Sequence, residues 1–309
     1  MLHMYIMICE EILKRLEVEY PPSCAEEWDN PGLLVGRRSG EVRRIFVALD
    51  VTDETLEDAC SWGADLMVTH HPLIFGSIRQ VNEDTFIGRR ILKLIEHRMS
   101  YYAMHTNFDV RGMAELNERQ LGLVNARVLM KTGDNEERLE GIGRIGELAE
   151  PMALTALAEH VKTCMGVPDV RCYGASELPI ARVAVCGGAG KSVVQEALDA
   201  GAEALVTGDI DYHTAIDALS EGLHILDAGH YGTEYCFISY MTDRLSRMFP
   251  ECQVKGASVR MPYTCLLYTS PSGWKKGTRV PKSAWQRPIC VWSYPLQNVM
   301  WAAACSSWI

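Results

Sequence analysis

The stretch 66–75, LMVTHHPLIF, constrains this chain more than any other. An apolar run ends in two adjacent histidines, His70 and His71, and Pro72 stops it, because proline offers no amide to a continuing ladder. The pattern predicts a strand that delivers two imidazoles to a sheet edge. Successive side chains on a regular strand face opposite ways, so the pair shares one site only if the chain turns there. Pro72 favours an extended His71 and a break just after it.

The surrounding pattern repeats strand, helix, strand. A first helix over 7–18 carries Ile8, Ile12, Leu13 and Leu16 at helical spacing and stops before Pro21 and Pro22. Residues 28–36, WDNPGLLVG, form a turn cluster running into a short strand, with Trp28 either a structural anchor or a neighbour of the site. RIFVAL at 44–49 predicts a strand buried on both faces, and Thr52 or Asp53 caps the helix that follows. With the 66–71 strand this makes a right-handed crossover in a mainly parallel sheet, and such sheets gather ligands at the strands' carboxyl ends. A helix over 85–97 and a strand over 99–104 lead into HTNFD, where an extended chain would put His105, Asn107 and Asp109 on one face.

After a helix over 112–121, the polar segment 130–140 marks the boundary between two halves, 7–129 and 141–263. The second half alternates in the same way. ARVAVC at 181–186 runs into Gly187, Gly188, Ala189, Gly190, Lys191 and Ser192. This turn fails the P-loop spacing, since Val185 stands where a glycine is needed, and Val193 replaces the third glycine of a dinucleotide fingerprint. It reads as a tight strand-to-helix turn whose amides would still suit an anion. ALVT at 204–207 then leads into Asp209, Asp211 and His213, and LHIL at 223–226 into His230 and Glu234. A helix starting near Gly229 would set His230 and Glu234 one turn apart on one face, as metal ligands or as a plain ion pair.

The fold class expected is therefore α/β: two halves, each a mainly parallel sheet flanked by helices. Four strand ends carry His-His, His-x-Asn-x-Asp, Asp-x-Asp-x-His and His-x-x-x-Glu. Imidazoles that terminate each of two ions, with a carboxylate bridging, suit one open dinuclear site. A closed structural zinc site would more often use thiolates, and none lies in these motifs. The eleven cysteines are scattered, with no CxxC pair, so reduced thiols in a cytosolic protein are expected.

The net charge of −10 argues against a general nucleic-acid binder. No apolar run approaches a membrane span, and the first residues lack a basic n-region and cleavage site, so a cytoplasmic protein is expected, with Met7 a candidate natural start.

WDNPGLLVG, VALDVT, VTHHPLIF, MHTNFD, CGGAGKS, VTGDIDYH and DAGHYGTE, in this order over about 7–263, resemble the family of GTP cyclohydrolase 1 type 2 homologues, dinuclear-metal hexameric proteins. The resemblance implies that the two α/β halves are interlocked with the metal site between them. It also implies a toroidal homohexamer, two divalent ions per chain (zinc, manganese or iron) and a small-molecule, nucleotide-like substrate. Carried over by position, His70, His71, Asp109, His230 and Glu234 match the family's metal ligands, with Glu234 the bridge. His71 would pair with Asp109 on one ion, and His70 with His230 on the other. His105, Asp209 and His213 match residues lining the site, with His105 or His213 a proton shuttle. Asp211 stands where the family's motif leads one to expect lysine. The implied activity is metal-dependent hydrolysis that opens the purine ring of GTP. The alternative is a metal-binding scaffold or regulatory protein without turnover.

Beyond Tyr263 the composition shifts. Residues 264–309 hold five of the seven tryptophans and five basic residues but no acid, leaving 25 basic against 40 acidic residues in the rest, a net of −15. CLLYTSPS at 265–272 resembles an in-frame translation of a transposon sequencing adapter. This segment is expected to be non-native and to lack a core, rather than to be a basic aromatic interaction tail.

Overall fold

The computed structural model describes residues 6–133, 140–176 and 178–264; the expectation of a coreless tail, and most of the 130–140 boundary, fall outside these residues. In chain order the elements are β1 (Met7–Ile8), α1 (Cys9–Glu19), β2 (Gly32–Val35), β3 (Glu41–Val42), β4 (Arg44–Ala48), α2 (Asp53–Trp62), β5 (Leu66–Thr69), α3 (Phe86–Glu96), β6 (Ser100–Ala103) and α4 (Thr106–Phe108). A π-helical turn, Asp109–Met113, leads into α5 (Ala114–Leu121). Then follow β7 (Val124–Lys131), β8 (Gly141–Met152), α6 (Leu154–Met165), β9 (Arg171–Tyr173), β10 (Ile180–Ala189), α7 (Val194–Asp199), β11 (Ala204–Gly208), α8 (Tyr212–Ser220), β12 (His224–Asp227), α9 (His230–Glu234), α10 (Cys236–Met248) and β13 (Gln253–Gly256).

One sheet has the order β13-β4-β5-β6-β2, parallel throughout except where β2 runs antiparallel to β6. Strand alternation sorts its side chains into two cores. Ile45 and Val47 face α1 and α10, packing with Leu13, Leu16, Phe237 and Met241. Phe46 and Ala48 face α2 and α3, packing with Leu56, Ile91 and Leu94. The α2 start is fixed by Thr52, whose Oγ1 accepts from Thr55 N at 3.1 Å, and its end by Gly63 at φ 73°.

The other large sheet has the order β7-β8-β10-β11-β12-β9. It is mixed rather than mainly parallel: β10, β11 and β12 are parallel, while β7, β8 and β9 join antiparallel. The division between the sheets also departs from the order of the chain. β7 lies in the second sheet, and α10 and β13 return to the first, where Gln253 pairs with Arg44 and Val254 with Ile45. The physical reason is the apolar stripe Phe237, Ile238, Met241 and Leu245 on α10, which finds its complement on α1 and β4. The π-helical turn 109–113 carries Asp109, and α9 carries His230 and Glu234.

Candidate metal centre

β5 ends at Thr69, and the chain bends at His70 and His71, supplying the turn that two adjacent histidines need to share a site. The bend is fixed by Thr69 Oγ1 and Tyr101 OH, which donate to His71 O at 2.8 and 2.9 Å, and by His71 N, which donates to Leu49 O at 3.0 Å. His70 points into the apolar layer of Phe108 and Phe237, and His71 points toward the end of β4.

Each imidazole is oriented through Nδ1. His70 Nδ1 donates to Met104 O at 2.8 Å, His71 Nδ1 to Asp50 Oδ1 at 2.8 Å and His105 Nδ1 to Asp29 Oδ1 at 2.8 Å. His230 Nδ1 lies 3.3 Å from Asp209 Oδ2. A proton held on Nδ1 leaves Nε2 with a lone pair, the state a metal ligand requires. His70 Nε2 is 3.5 Å from Asp109 Oδ1 and 3.7 Å from Glu234 Oε1. His71 Nε2 and His230 Nε2 lie 3.0 and 3.2 Å from Glu234 Oε2.

The ligand atoms of His70, Asp109 and Glu234 fall within 4.8 Å of one another, as do those of His71, His230 and Glu234 and those of His70, His71 and His105. His70 thus stands with Asp109, and His71 with His230, the reverse of the pairing carried over by position. The bend after β5 decides this, because it sends His70 inward toward the π-helical turn and His71 toward α9. Glu234 belongs to both of the carboxylate-containing groups.

Buried and without a hydrogen bond are His70 Nε2, Asp109 Oδ1 and Glu234 Oε2. Buried acceptors converging without hydrogen-bond partners repel one another unless a cation lies between them, and imidazole nitrogen with carboxylate oxygen suits a divalent metal. The acid–base behaviour of the site has the same cause. Burial and the neighbouring Glu234 push the Asp109 carboxyl up to about 7. Burial also acts to raise Glu234, but His230, His71 and His70 outweigh it and hold that carboxyl well below its ordinary range. For His230 burial acts downward, while Glu234 and Asp209 lift the imidazole to about 10.

The remaining expected residues divide. His105 borders the cluster, its ring centroid 5.3 Å from His70 and 5.6 Å from His71. Residues 106–108 form a helical turn rather than an extended strand end, closed by Asp109 N donating to His105 O at 3.0 Å. His213 is exposed on the first turn of α8, where its ring meets Tyr212, and it belongs to none of the metal-competent groups among the described residues. Asp211 caps α8, accepting from Thr214 N at 3.0 Å.

Asp29 and Asp50, the hydrogen-bond partners of His105 and His71, are positions that strand-end motifs alone do not reveal, although both follow the turn and strand patterns around WDNPG and VALD. Asp29 also accepts from Thr106 N at 2.9 Å and from Thr106 Oγ1 at 2.5 Å. The strand β10 runs on through Gly187 and Gly188 to Ala189, and these glycines at its end serve close approach. A Cβ on Gly188, at φ 66°, would lie 2.4 Å from Glu234 Oε1, and the Gly188 amide is engaged by Thr233 Oγ1 at 2.9 Å.

The family model for Duf34/NIF3 (NGG1p interacting factor 3) matches residues 7–262. A Streptococcus pneumoniae relative named GTP cyclohydrolase 1 type 2 homolog is 36% identical over 247 residues, covering 78% of this chain and 91% of that protein. A Clostridium perfringens relative of the same name is 32% identical over 241 residues, covering 77% and 91%. Among solved structures, a Bacillus cereus protein related to NIF3 superposes with a TM-score of 0.79 at 26% identity, covering 84% of this chain and 99% of its own. With a match that spans both sheets and every residue of the cluster, the chain belongs to the Duf34/NIF3 family.

Proposed function

We propose that this chain is a dinuclear metal-dependent hydrolase of the GTP cyclohydrolase type. The observation that carries the reading is Glu234, whose two oxygens face different histidines: Oε1 lies 3.7 Å from His70, and Oε2 lies 3.0 Å from His71. His70 and Asp109 would hold one divalent ion, His71 and His230 the other, and Glu234 would bridge them. Such a pair, when bound, supplies Lewis acidity and lowers the pKa of water held there to the neutral range.

The chain's own side chains supply the rest. Asp50, Asp209 and Met104 O orient three imidazoles through Nδ1, so that their Nε2 atoms face the cluster. His105, held by Asp29, borders the cluster and is the group placed to move a proton at Nε2. The exposed His213 has no part in this reading. With GTP as substrate, one water would add at C8 of the purine and break one C8–N bond, opening the imidazole ring to a formamide with the proton passing to the freed nitrogen. A second water would hydrolyse that formamide, releasing formate and leaving the amine. Relatives that carry the cyclohydrolase name support this choice of substrate. A cytoplasmic homohexamer is the expected setting, and light scattering on the purified protein measures the assembly.

The test is formate release from GTP by protein loaded with zinc, manganese or iron. The reading expects turnover that needs metal and disappears in Glu234→Gln. A protein that carries metal yet leaves GTP intact under every metal would favour a scaffold role.

A further inference from the structure

Beside the metal cluster stand two aromatic side chains that the proposed chemistry does not use. Trp28 is 57% exposed and Phe75 is 49% exposed, so neither is a core residue. Single exposed apolar side chains are commonplace. These two are in contact, with ring centroids 5.6 Å apart and planes at 39°, and both meet the same histidine: Trp28 lies 5.9 Å from the His105 ring and Phe75 lies 6.0 Å from it, each edge-on. The His105 ring is itself 5.6 Å from that of His71. A continuous aromatic surface thus runs from solvent to the edge of the metal-competent cluster.

The surface is held rigidly by the residues next to each ring. Asp29, immediately after Trp28, is fixed by Thr106 and His105. Asn30 Nδ2 donates to Ile74 O at 2.7 Å, tying the turn that carries Trp28 to the loop that carries Phe75. Upstream, Glu26 N donates to Thr106 Oγ1 at 2.9 Å. The chain on both sides of Trp28 and the residue before Phe75 are thus held by hydrogen bonds, which lowers the conformational entropy these loops lose when a ligand covers the rings.

We propose that Trp28 and Phe75 form a stacking platform that takes a planar aromatic ring of the substrate and presents its edge to His105 and the metal cluster. Two rings tilted against one another leave no slot between them, so the ligand lies on their exposed faces. A flat heteroaromatic ring gains from stacking in a way that an aliphatic sugar or a bare phosphate chain does not. This rests on the hydrolase reading for what happens to the ring, and it narrows that reading to substrates whose reacting atom belongs to, or adjoins, a flat ring.

Calorimetric titration of the full-length, metal-loaded protein with guanosine, neopterin and ribose tests it. At least one of the two ring compounds should bind, and ribose should not. Trp28→Ala and Phe75→Ala should each weaken that binding about tenfold or more, while Trp28→Phe stays within a few-fold of the parent. Metal content by elemental analysis should be unchanged in all three. If Trp28→Ala does not fold, Trp28→Leu, which keeps apolar bulk without a flat face, carries the same comparison. The proposal is overturned if neither ring compound binds the parent, if ribose binds as well, or if both alanine variants bind like the parent. It is equally overturned if Trp28→Ala changes the assembly size by light scattering without weakening ring binding, which would make the pair a contact between copies of the chain. A parent that binds guanosine on this platform but leaves GTP intact sinks the cyclohydrolase reading and leaves the platform standing.

Discussion

His71 Nε2 and His230 Nε2 lie 3.2 Å apart although 159 positions separate them in the chain. One is delivered by the bend after β5 of the first sheet, the other by α9, which starts where β12 of the second sheet ends. Glu234, one helical turn after His230, closes the pair on one side and reaches His70 on the other. The centre therefore exists only when both sheets are in place.

Metal content follows directly from this sharing. The parent should carry close to two divalent ions per chain. Asp109→Ala and His230→Ala should each lose mainly one, while Glu234→Ala, which leaves two cations facing each other unshielded, should lose both. Elemental analysis of the dialysed proteins reads the result, and full occupancy in Glu234→Ala would exclude the bridging role.

Asp50 should matter for metal without touching it. Its carboxylate holds the proton on His71 Nδ1, and removal of such an outer partner typically weakens metal affinity by about 10–100-fold. Asp50→Asn should show that loss at the ion shared by His71 and His230, with the other ion retained. Competition against a chromogenic chelator measures both affinities.

Asp29 makes a pH-dependent contribution to stability. Burial acts to raise its carboxyl, but hydrogen bonds from His105 and Thr106 reverse this and hold it at about 2. A folded value below the unfolded one means that the stabilisation is complete above about pH 4 and fades as the pH falls through about 2. Its size is about 2 kcal/mol. In urea unfolding of metal-free protein, Asp29→Asn should be less stable than the parent by about that amount at pH 7, and the gap should largely close near pH 2. A gap that persists unchanged at pH 2 would contradict the assignment.

Gly188→Ala should damage the centre from behind. Its left-handed backbone costs a residue with a Cβ about 1–2 kcal/mol, and the methyl would clash with Glu234 Oε1, 2.4 Å away. A lower melting temperature together with weaker binding of both ions is expected. Gly122→Ala, at φ 67° with open space around its Cβ, separates the effects: it should show the backbone cost with metal content unchanged.

Much of the first sheet was legible in the sequence because its signals are local. RIFVA and LMVT are short apolar runs bounded by polar or turn residues, and both are strands buried on both faces. The capping Thr52, the proline after His71 and the one-turn spacing of His230 and Glu234 likewise express rules that act within a few residues. The second sheet was less legible. Strand direction depends on which edge a segment joins, and an apolar run such as the 180–189 strand reads the same whether its neighbour is parallel, as β11 is, or antiparallel, as β8 is.

By itself the sequence determined that His70 and His71 would be offered at a strand end and His230 and Glu234 on one turn of a helix, because periodicity and punctuation fix where elements begin and stop. Asp109, expected on an extended strand end, is instead carried by a helical turn. Only the tertiary structure decided that His70 would stand with Asp109 and His71 with His230, since that depends on the sense of one bend held by Tyr101, Thr69 and Leu49. Only it could send α10 and β13 back to the first sheet, because the edge of β4 and the stripe on α10 meet by complementarity of surfaces far apart in the chain. Placing Asp29 against His105 and Asp50 against His71 also required the fold. A carboxylate's partner is chosen by distance in space, and at 76 and 21 positions of separation no local rule reaches it.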